Sequence, residues 1–206
     1  MEDLLDEHGV EPPRSARLAR LADGRPGLAI ALAAAPEAVA AREELARSLL
    51  DLVALGAAAR LLAGRDLLAR AADLARIGSL PGDASGPAAD GVAAIPGDPD
   101  GDQGARPARG TPAERRLAAA ALLATWTAVA RDLAVTACGA SAAARDTALI
   151  DDLRAVAATV APDACTAFLG RLVRAAELLE ANANPELLVD TLVLAWPGAR
   201  PPVAAP

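Results

Sequence analysis

The chain has 206 residues, enough for one or two domains, and its hydrophobic fraction of 53% is sufficient to bury a core. Alanine and leucine dominate that fraction and aromatic residues make up only 1%, so the composition favours closely packed helices over strands. A net charge of −7 and a pI near 4.8 argue against a surface that binds nucleic-acid phosphates by itself.

Residues 1–35 predict three short helices. The first covers 2–8, Pro12 opens the second, and Gly24 closes that helix as a C-terminal cap. Pro26 then begins the third. The segment is too short to hold a core alone, so we expect it to dock on another part of the protein or to be the end of a larger domain.

Residues 36–77 predict a pair of antiparallel helices. Gly56 separates a helix over 36–55 from a helix over 57–77, and so short a turn makes the two helices neighbours. The buried face of the first helix follows spacings of three and four residues. Its members are Leu45, Leu49, Leu52 and Val53.

Residues 78–110 are dense in glycine, proline, aspartate and alanine, with almost no large apolar side chain beyond Val92 and Ile95. Such a segment buries too little surface to offset the entropy lost on ordering. We therefore predict a disordered linker, inserted between two helices as a dispensable loop.

The remaining sequence predicts four more helices, over 111–137, 147–160, 162–180 and 185–195. Thr111 and Glu114 have the spacing of a capping box at the first, Asp146 is placed to cap the second, and Asn184 is placed to cap the last. Residues 198–206 follow as a tail. One face of the first helix carries Leu122, Trp126, Val129, Leu133 and Thr136.

No segment alternates as a strand does, so the predicted fold is all-α, a helical bundle preceded by short helices. Helices this rich in alanine pack closely and often need partners to finish burying their faces, which favours an assembly over an isolated enzyme. The acidic N-terminus has no signal-peptide pattern, and no stretch reaches about 18 uninterrupted apolar residues. We therefore expect a cytoplasmic protein without membrane contact.

Residues suited to chemistry are scarce. The sequence has no phosphate-binding loop and no dinucleotide-binding glycine motif, and its only histidine is His8. Cys138 and Cys165 have no metal-ligand spacing, and we expect them to be small apolar residues without a disulfide. Adjacent acidic residues such as Glu43 and Glu44 diverge on a helix, and we expect them to face solvent or to interact with the helix dipole in a first turn. We predict no catalytic residue, no cofactor and no metal.

Several motifs carry a resemblance to a known family. Residues 18–32 read LARLADGRPGLAIAL and include the turn Gly24, Arg25, Pro26 and Gly27. Residues 178–194 read LLEANANPELLVDTLVL, whose Asn-x-Asn-Pro element is Asn182, Asn184 and Pro185. The sequence TWTAVARDLAV supplies Trp126, Arg131 and Asp132. Together these motifs resemble the C-terminal part of the delta-prime subunit of the bacterial DNA polymerase III clamp loader.

The resemblance implies a division of the chain. Residues 1–35 correspond to the end of the family's AAA+ helical lid, and residues 36–77 and 111–197 to its helical collar. The nucleotide-binding domain that comes first in the family has no counterpart here, nor do its Ser-Arg-Cys element and zinc-binding cysteine cluster. The resemblance therefore implies a fragment, from a split gene or an internal start.

The resemblance also implies a function. The collar would assemble with the gamma/tau and delta subunits into the ring that loads the sliding clamp, and would reach DNA only through that complex. ATP-hydrolysing relatives place an arginine where this chain has Gly27, so the resemblance implies a subunit without ATP hydrolysis. Polymerase activity would belong to the parent holoenzyme. Trp126, Arg131, Asp132 and the Asn-x-Asn-Pro residues are implied to have structural or subunit-interface roles.

A second interpretation is a free-standing helical bundle that binds proteins without a role in replication. It predicts a stable monomer or homodimer that does not bind replication factors. An enzyme is the third interpretation, and no nucleophile, base or metal set supports it.

Overall fold

The computed structural model describes residues 1–78 and 111–199. Every regular element in these ranges is helical, which confirms the all-α prediction. The α-helices are α1 (Glu2–Glu7), α2 (Pro12–Ala22), α3 (Pro26–Ala34), α4 (Pro36–Asp51), α5 (Ala57–Gly78), α6 (Pro112–Ala137), α7 (Ile150–Ala157), α8 (Pro162–Glu180) and α9 (Pro185–Ala195). Short 3-10 turns lie at Leu52–Ala54, Ser141–Ala143 and Thr147–Leu149.

Prolines and polar caps set the start of most helices. Proline occupies the first turn of α2, α3, α4, α6, α8 and α9, where its missing N–H costs no hydrogen bond. The predicted capping box is present at α6. Thr111 Oγ1 accepts from the Glu114 N–H at 3.2 Å, and Glu114 Oε2 accepts from the Thr111 N–H at 2.7 Å.

The larger of two apolar clusters is the core of the bundle formed by α4–α9. The helix α6 lies in its middle, and the predicted face of α6 is buried from Leu122 to Thr136. The chain's three aromatic side chains meet there: the Trp126 ring centroid is 5.4 Å from that of Phe168 and 5.6 Å from that of Trp196. The bundle thus buries its core within one chain. A partner could cover only the apolar side chains that remain exposed on its surface.

The smaller apolar cluster belongs to α1–α3, which we call the N-terminal unit. Its buried members are Leu5, Leu18, Leu21, Ala22, Ala29 and Leu32. Among the partly buried side chains packed against them, only Val39 comes from α4, and none comes from a later helix. The segment docks on the rest of the protein, as expected, because Val39 of α4 packs against its cluster and Arg17 of α2 pairs with Glu43 of α4.

Two predicted helices differ in extent. The helix predicted over 36–55 ends at Asp51, and a 3-10 turn completes it. The helix predicted over 147–160 starts as a 3-10 turn, and α7 covers only its middle. The cause is Asp146, whose Oδ1 accepts from the Ala148 N–H at 3.3 Å and so holds a tight local turn.

Part of the predicted linker and tail lies outside the described residues, namely 79–110 and 200–206. Gly78, placed in the linker, instead ends α5. Ala199, placed in the tail, is attached to the bundle, because its N–H donates to the Val53 carbonyl at 3.2 Å.

The helix α6 is the one described helix that is long and apolar enough to cross a membrane. Of its most apolar stretch, 61% is buried inside the bundle. A helix at the centre of a bundle has this composition because other helices surround it.

Candidate functional site

The Asn-x-Asn-Pro element forms the turn between α8 and α9. Asn182 ends α8 in the left-handed conformation with φ 66°, and the Ala183 N–H donates to the Leu178 carbonyl at 2.9 Å, as in a Schellman cap. Arg116 of α6 donates to Asn182 Oδ1 and, at 3.2 Å, to the Leu179 carbonyl. These contacts fix the turn against the start of α6.

Asn184 caps α9, as the sequence predicts. Its Oδ1 accepts from the N–H groups of Glu186 and Leu187 at 2.9 and 3.2 Å, and Pro185 occupies the first turn. The cap fixes where α9 begins and therefore where Glu186 and Leu187 lie.

We expect Asn184→Ala to lower the free energy of unfolding by about 1 kcal/mol, because two N–H groups lose their acceptor. Urea unfolding followed by circular dichroism measures the change. Asn184→Ser keeps a side-chain oxygen and is expected to stay within about 0.5 kcal/mol of the wild type. Equal losses in the two variants would contradict a capping role.

A groove of about 990 Å³ runs between α5 and α9, with the first turns of α6 completing its lining. We call it the α5/α9 groove. Its apolar lining includes Leu68, Ala69 and Ala72 of α5 and Leu187 and Val189 of α9. Leu187 is 65% exposed, although it is a large apolar residue. The alanines leave room for another backbone to approach closely, so the groove has the character of a helix-binding surface.

The two walls of the groove carry different charge. The wall from α5 contributes Arg65, Arg76 and Asp73, and the last two pair with each other at 2.6 Å. The wall from α9 contributes Asp190 and also Glu186, which pairs with Arg115 at 3.2 Å. Arg65 and Asp190 have no ion-pair partner among the described residues. A partner helix with an acidic edge toward α5 and a basic edge toward α9 would complement this arrangement.

Trp126, Arg131 and Asp132 have structural positions. Trp126 is fully buried, so it packs the core and does not reach a partner's surface. Asp132 is 3% exposed, and its Oδ2 accepts from the N–H groups of Arg145 and Asp146, both at 3.0 Å. Arg131 donates to Asp132 Oδ1 at 2.7 Å and to the Ala143 carbonyl at 3.1 Å. The pair therefore shapes the loop between α6 and α7.

That loop joins the N-terminal unit to the bundle through ion pairs, which we call the junction. Asp146 is 4% exposed and accepts from Arg42 of α4 at 3.1 Å, and it pairs with Arg17 of α2 at 3.5 Å. Arg17 also pairs with Glu43 of α4 at 2.7 Å. The hydrogen bond from Arg17 is the largest cause that lowers the pKa of Glu43. The expectation that Glu43 faces solvent is therefore wrong, because it is drawn into this network.

The Gly-Arg-Pro-Gly turn lies beside the junction. Asp23 and Gly24 both have left-handed backbones, with φ of 50° and 78°, so Asp23 shares the capping role predicted for Gly24. Asp23 pairs with Arg145 at 2.5 Å. Arg25 Nε donates to the Ala22 carbonyl at 3.2 Å, and Pro26 opens α3. A Cβ at Gly27 would meet no atom within 4 Å, so packing does not require glycine there.

Sequence reasoning missed Arg60, which is only 6% exposed. Among the described residues, its guanidinium donates to carbonyl oxygens at two helix ends and to no carboxylate. The acceptors after α4 are the carbonyls of Leu52 and Leu55, at 2.9 Å each, and of Val53 at 3.2 Å. The acceptors around the end of α9 are the carbonyls of Val193 at 3.4 Å, Trp196 at 2.5 Å and Pro197 at 3.2 Å. Burial lowers the pKa of Arg60.

The described residues contain no group of three His, Cys, Asp or Glu side chains arranged to hold a metal. His8 is exposed, and its ring Nδ1 lies 2.7 Å from the Leu4 carbonyl. Cys138 is exposed and Cys165 is buried, and both are free thiols. Burial raises the pKa of Cys165, which suits a core residue rather than a nucleophile.

These residues build two surface features, a groove at the start of α9 and a charged junction at the other end of α6. No family model, curated protein or solved structure matches the chain.

Proposed function

We propose that this chain is a non-catalytic assembly subunit that binds a partner helix in the α5/α9 groove, in the role of the clamp-loader delta-prime collar. Its partners would be the gamma/tau and delta subunits, and DNA would be reached only through their complex. The proposal gives the chain no ATP hydrolysis and no polymerase activity of its own.

One observation carries the proposal. The Asn-x-Asn-Pro residues, on which the family resemblance rests, begin the helix that forms one wall of the open groove. The groove extends along α5 from Gly64 to Arg76, which corresponds to about 18 Å of helix and accommodates about three turns of a partner. The separate packing of α1–α3 ahead of a larger bundle also agrees with a lid followed by a collar.

The test is co-purification of the full chain with gamma/tau and delta subunits. Leu187→Asp places a charge in the groove at an exposed position, and we expect it to weaken binding about tenfold or more. Val173→Asp is the matched control, since Val173 is 61% exposed on α8 and does not line the groove. Failure of the wild-type chain to enter the complex, or equal loss in both variants, would reject the proposal.

The second candidate is a free-standing helical module for binding other proteins. The observation that favours it is the core of α4–α9, which closes without a partner. It predicts that the wild-type chain purifies as a stable monomer or homodimer and binds no clamp-loader subunit. Size-exclusion chromatography with light scattering, with and without those subunits, separates the two candidates.

A further inference from the structure

We infer that the N-terminal unit is a hinged body that the ion pairs of the junction, which we call the latch, hold on the bundle. When the latch is weakened, α1–α3 swing away while α4–α9 stay folded. The inference concerns the end of α6 opposite the groove and does not depend on the proposed partners.

The first reason is that the two apolar clusters share no residue. Every buried member of the smaller cluster lies at or before Leu32, and the larger cluster begins at Leu45. Val39 is the single α4 side chain packed on the smaller cluster, and it is only partly buried. Separation of the unit therefore exposes little apolar surface, whereas separation of two helices within either cluster exposes much more.

The second reason is the connection between the two bodies. One residue, Ala35, lies between the end of α3 and the start of α4 at Pro36. Its backbone is not helical, with φ −125° and ψ 78°, and Pro36 offers no N–H to continue the helical bonding. Rotation about this single residue moves the unit as a whole, which is how hinges at the ends of helices operate.

The third reason is that, among the described residues, three ion pairs connect the two bodies: Arg17 with Asp146, Arg17 with Glu43, and Asp23 with Arg145. Asp146 has the most buried side chain of these residues. Asp146 contacts Arg17 of the unit and Arg42 of the bundle, and Arg17 reaches Glu43 as well. The side chains of Arg17 and Glu43 are 26% and 20% exposed, so these pairs are stronger than surface pairs but remain open to salt. Asp132 is a positioning residue, because its carboxylate holds the backbone of Asp146 in place.

The experiment is amide hydrogen exchange of the full chain, read by mass spectrometry. Asp146→Asn keeps an oxygen to accept from the Ala148 N–H but removes the charge that faces Arg17 and Arg42. We expect amides of α1–α3 to exchange about tenfold faster, while those of α6 and α8 keep their wild-type rates. Raising salt to about 1 M should produce the same selective change in the wild type, because the Debye length then falls to about 3 Å.

Asp151→Asn is the matched control, since Asp151 is 94% exposed and pairs at 3.5 Å with Arg154 of its own helix. It should leave exchange in α1–α3 unchanged. If Asp146→Asn fails to fold, Arg145→Gln removes the more exposed pair with Asp23 and should give the same selective pattern. Exchange that rises equally in α1–α3 and α6, or that does not rise at all, overturns the latch.

Discussion

Replacement of Arg60 by methionine is expected to lower the free energy of unfolding by roughly 3–5 kcal/mol. Methionine fills similar space but removes the donor that Arg60 supplies to the Leu55 carbonyl after α4 and to the Trp196 and Pro197 carbonyls near the end of α9. Among them, the Trp196 and Pro197 carbonyls come from the segment that closes the bundle. Urea unfolding followed by tryptophan fluorescence measures the loss, because Trp196 reports on that segment.

Arg65→Met is the matched control, since Arg65 lies one turn further along α5 and is exposed. It is expected to change the free energy of unfolding by less than about 0.5 kcal/mol. Arg60→Lys retains the charge but not the planar fork that reaches both helix ends, so its stability should lie between the wild type and Arg60→Met. A value for Arg60→Met within about 1 kcal/mol of the wild type would show that the carbonyl contacts contribute little.

Arg60 also shows that a sequence does not reveal which backbone carbonyls a side chain will contact. Its position, with Gly64, Leu67 and Ala71, continues the buried stripe of α5, so periodicity alone marks it as an arginine on an apolar face. Its acceptors lie on either side of α5 in the sequence and include carbonyls more than 130 residues away. Backbone carbonyls have no signature in a sequence, so the contact becomes visible only in the fold.

Local signals, by contrast, predict the helices well. Prolines, the Thr111 capping box and the Asn184 cap act within one turn, and each lies at the helix start that the sequence indicates. The α6–α7 loop is the exception, because its shape depends on the buried carboxylate of Asp132 accepting from two backbone N–H groups. A loop organised by a tertiary contact cannot be read from propensity.

The sequence predicts different parts of the groove and of the junction. The Asn-x-Asn-Pro motif indicates the start of α9, but only the packing of α9 on α5 creates the groove. A Cβ at Gly64 would lie 3.4 Å from the Val193 side chain, an ordinary van der Waals contact, so α5 and α9 approach closely there without requiring glycine. At the junction, Arg131 and Asp132 stand out through the resemblance, whereas their link to Arg17 through Asp146 depends on the α6–α7 loop meeting α2 in space.

The groove and the junction can also be tested separately. Groove residues such as Arg115 lie near the start of α6, and Asp132 lies near its end, about 25 Å further along the helix. They share no side-chain partner, so substitutions at one should not alter the other. A variant that loses partner binding but keeps the ion pairs of the junction therefore tests the proposed function alone. A variant that weakens those ion pairs but still binds the partner tests the hinged N-terminal unit alone.

Replacement of Trp126 by alanine is expected to cost roughly 3–5 kcal/mol of unfolding free energy. Trp126 is fully buried against Phe168 and Trp196, whose own centroids are 4.7 Å apart. The chain has no other aromatic side chain to fill the space, and the surrounding leucines and alanines are held by their own helices, so a cavity remains. Thermal and urea unfolding followed by circular dichroism measure the loss.

Trp126→Phe separates packing from hydrogen bonding. The Trp126 Nε1 is buried without a hydrogen-bond partner, so phenylalanine removes an unsatisfied donor while it keeps most of the ring contacts. We expect it to cost less than about 1.5 kcal/mol. Leu117→Ala is the surface control, since Leu117 is 51% exposed on the same helix and should change stability by less than about 0.5 kcal/mol. If Trp126→Ala is as mild as Leu117→Ala, the aromatic cluster is not the centre of the core, and the packing of α6 against α8 and α9 must be stabilised elsewhere.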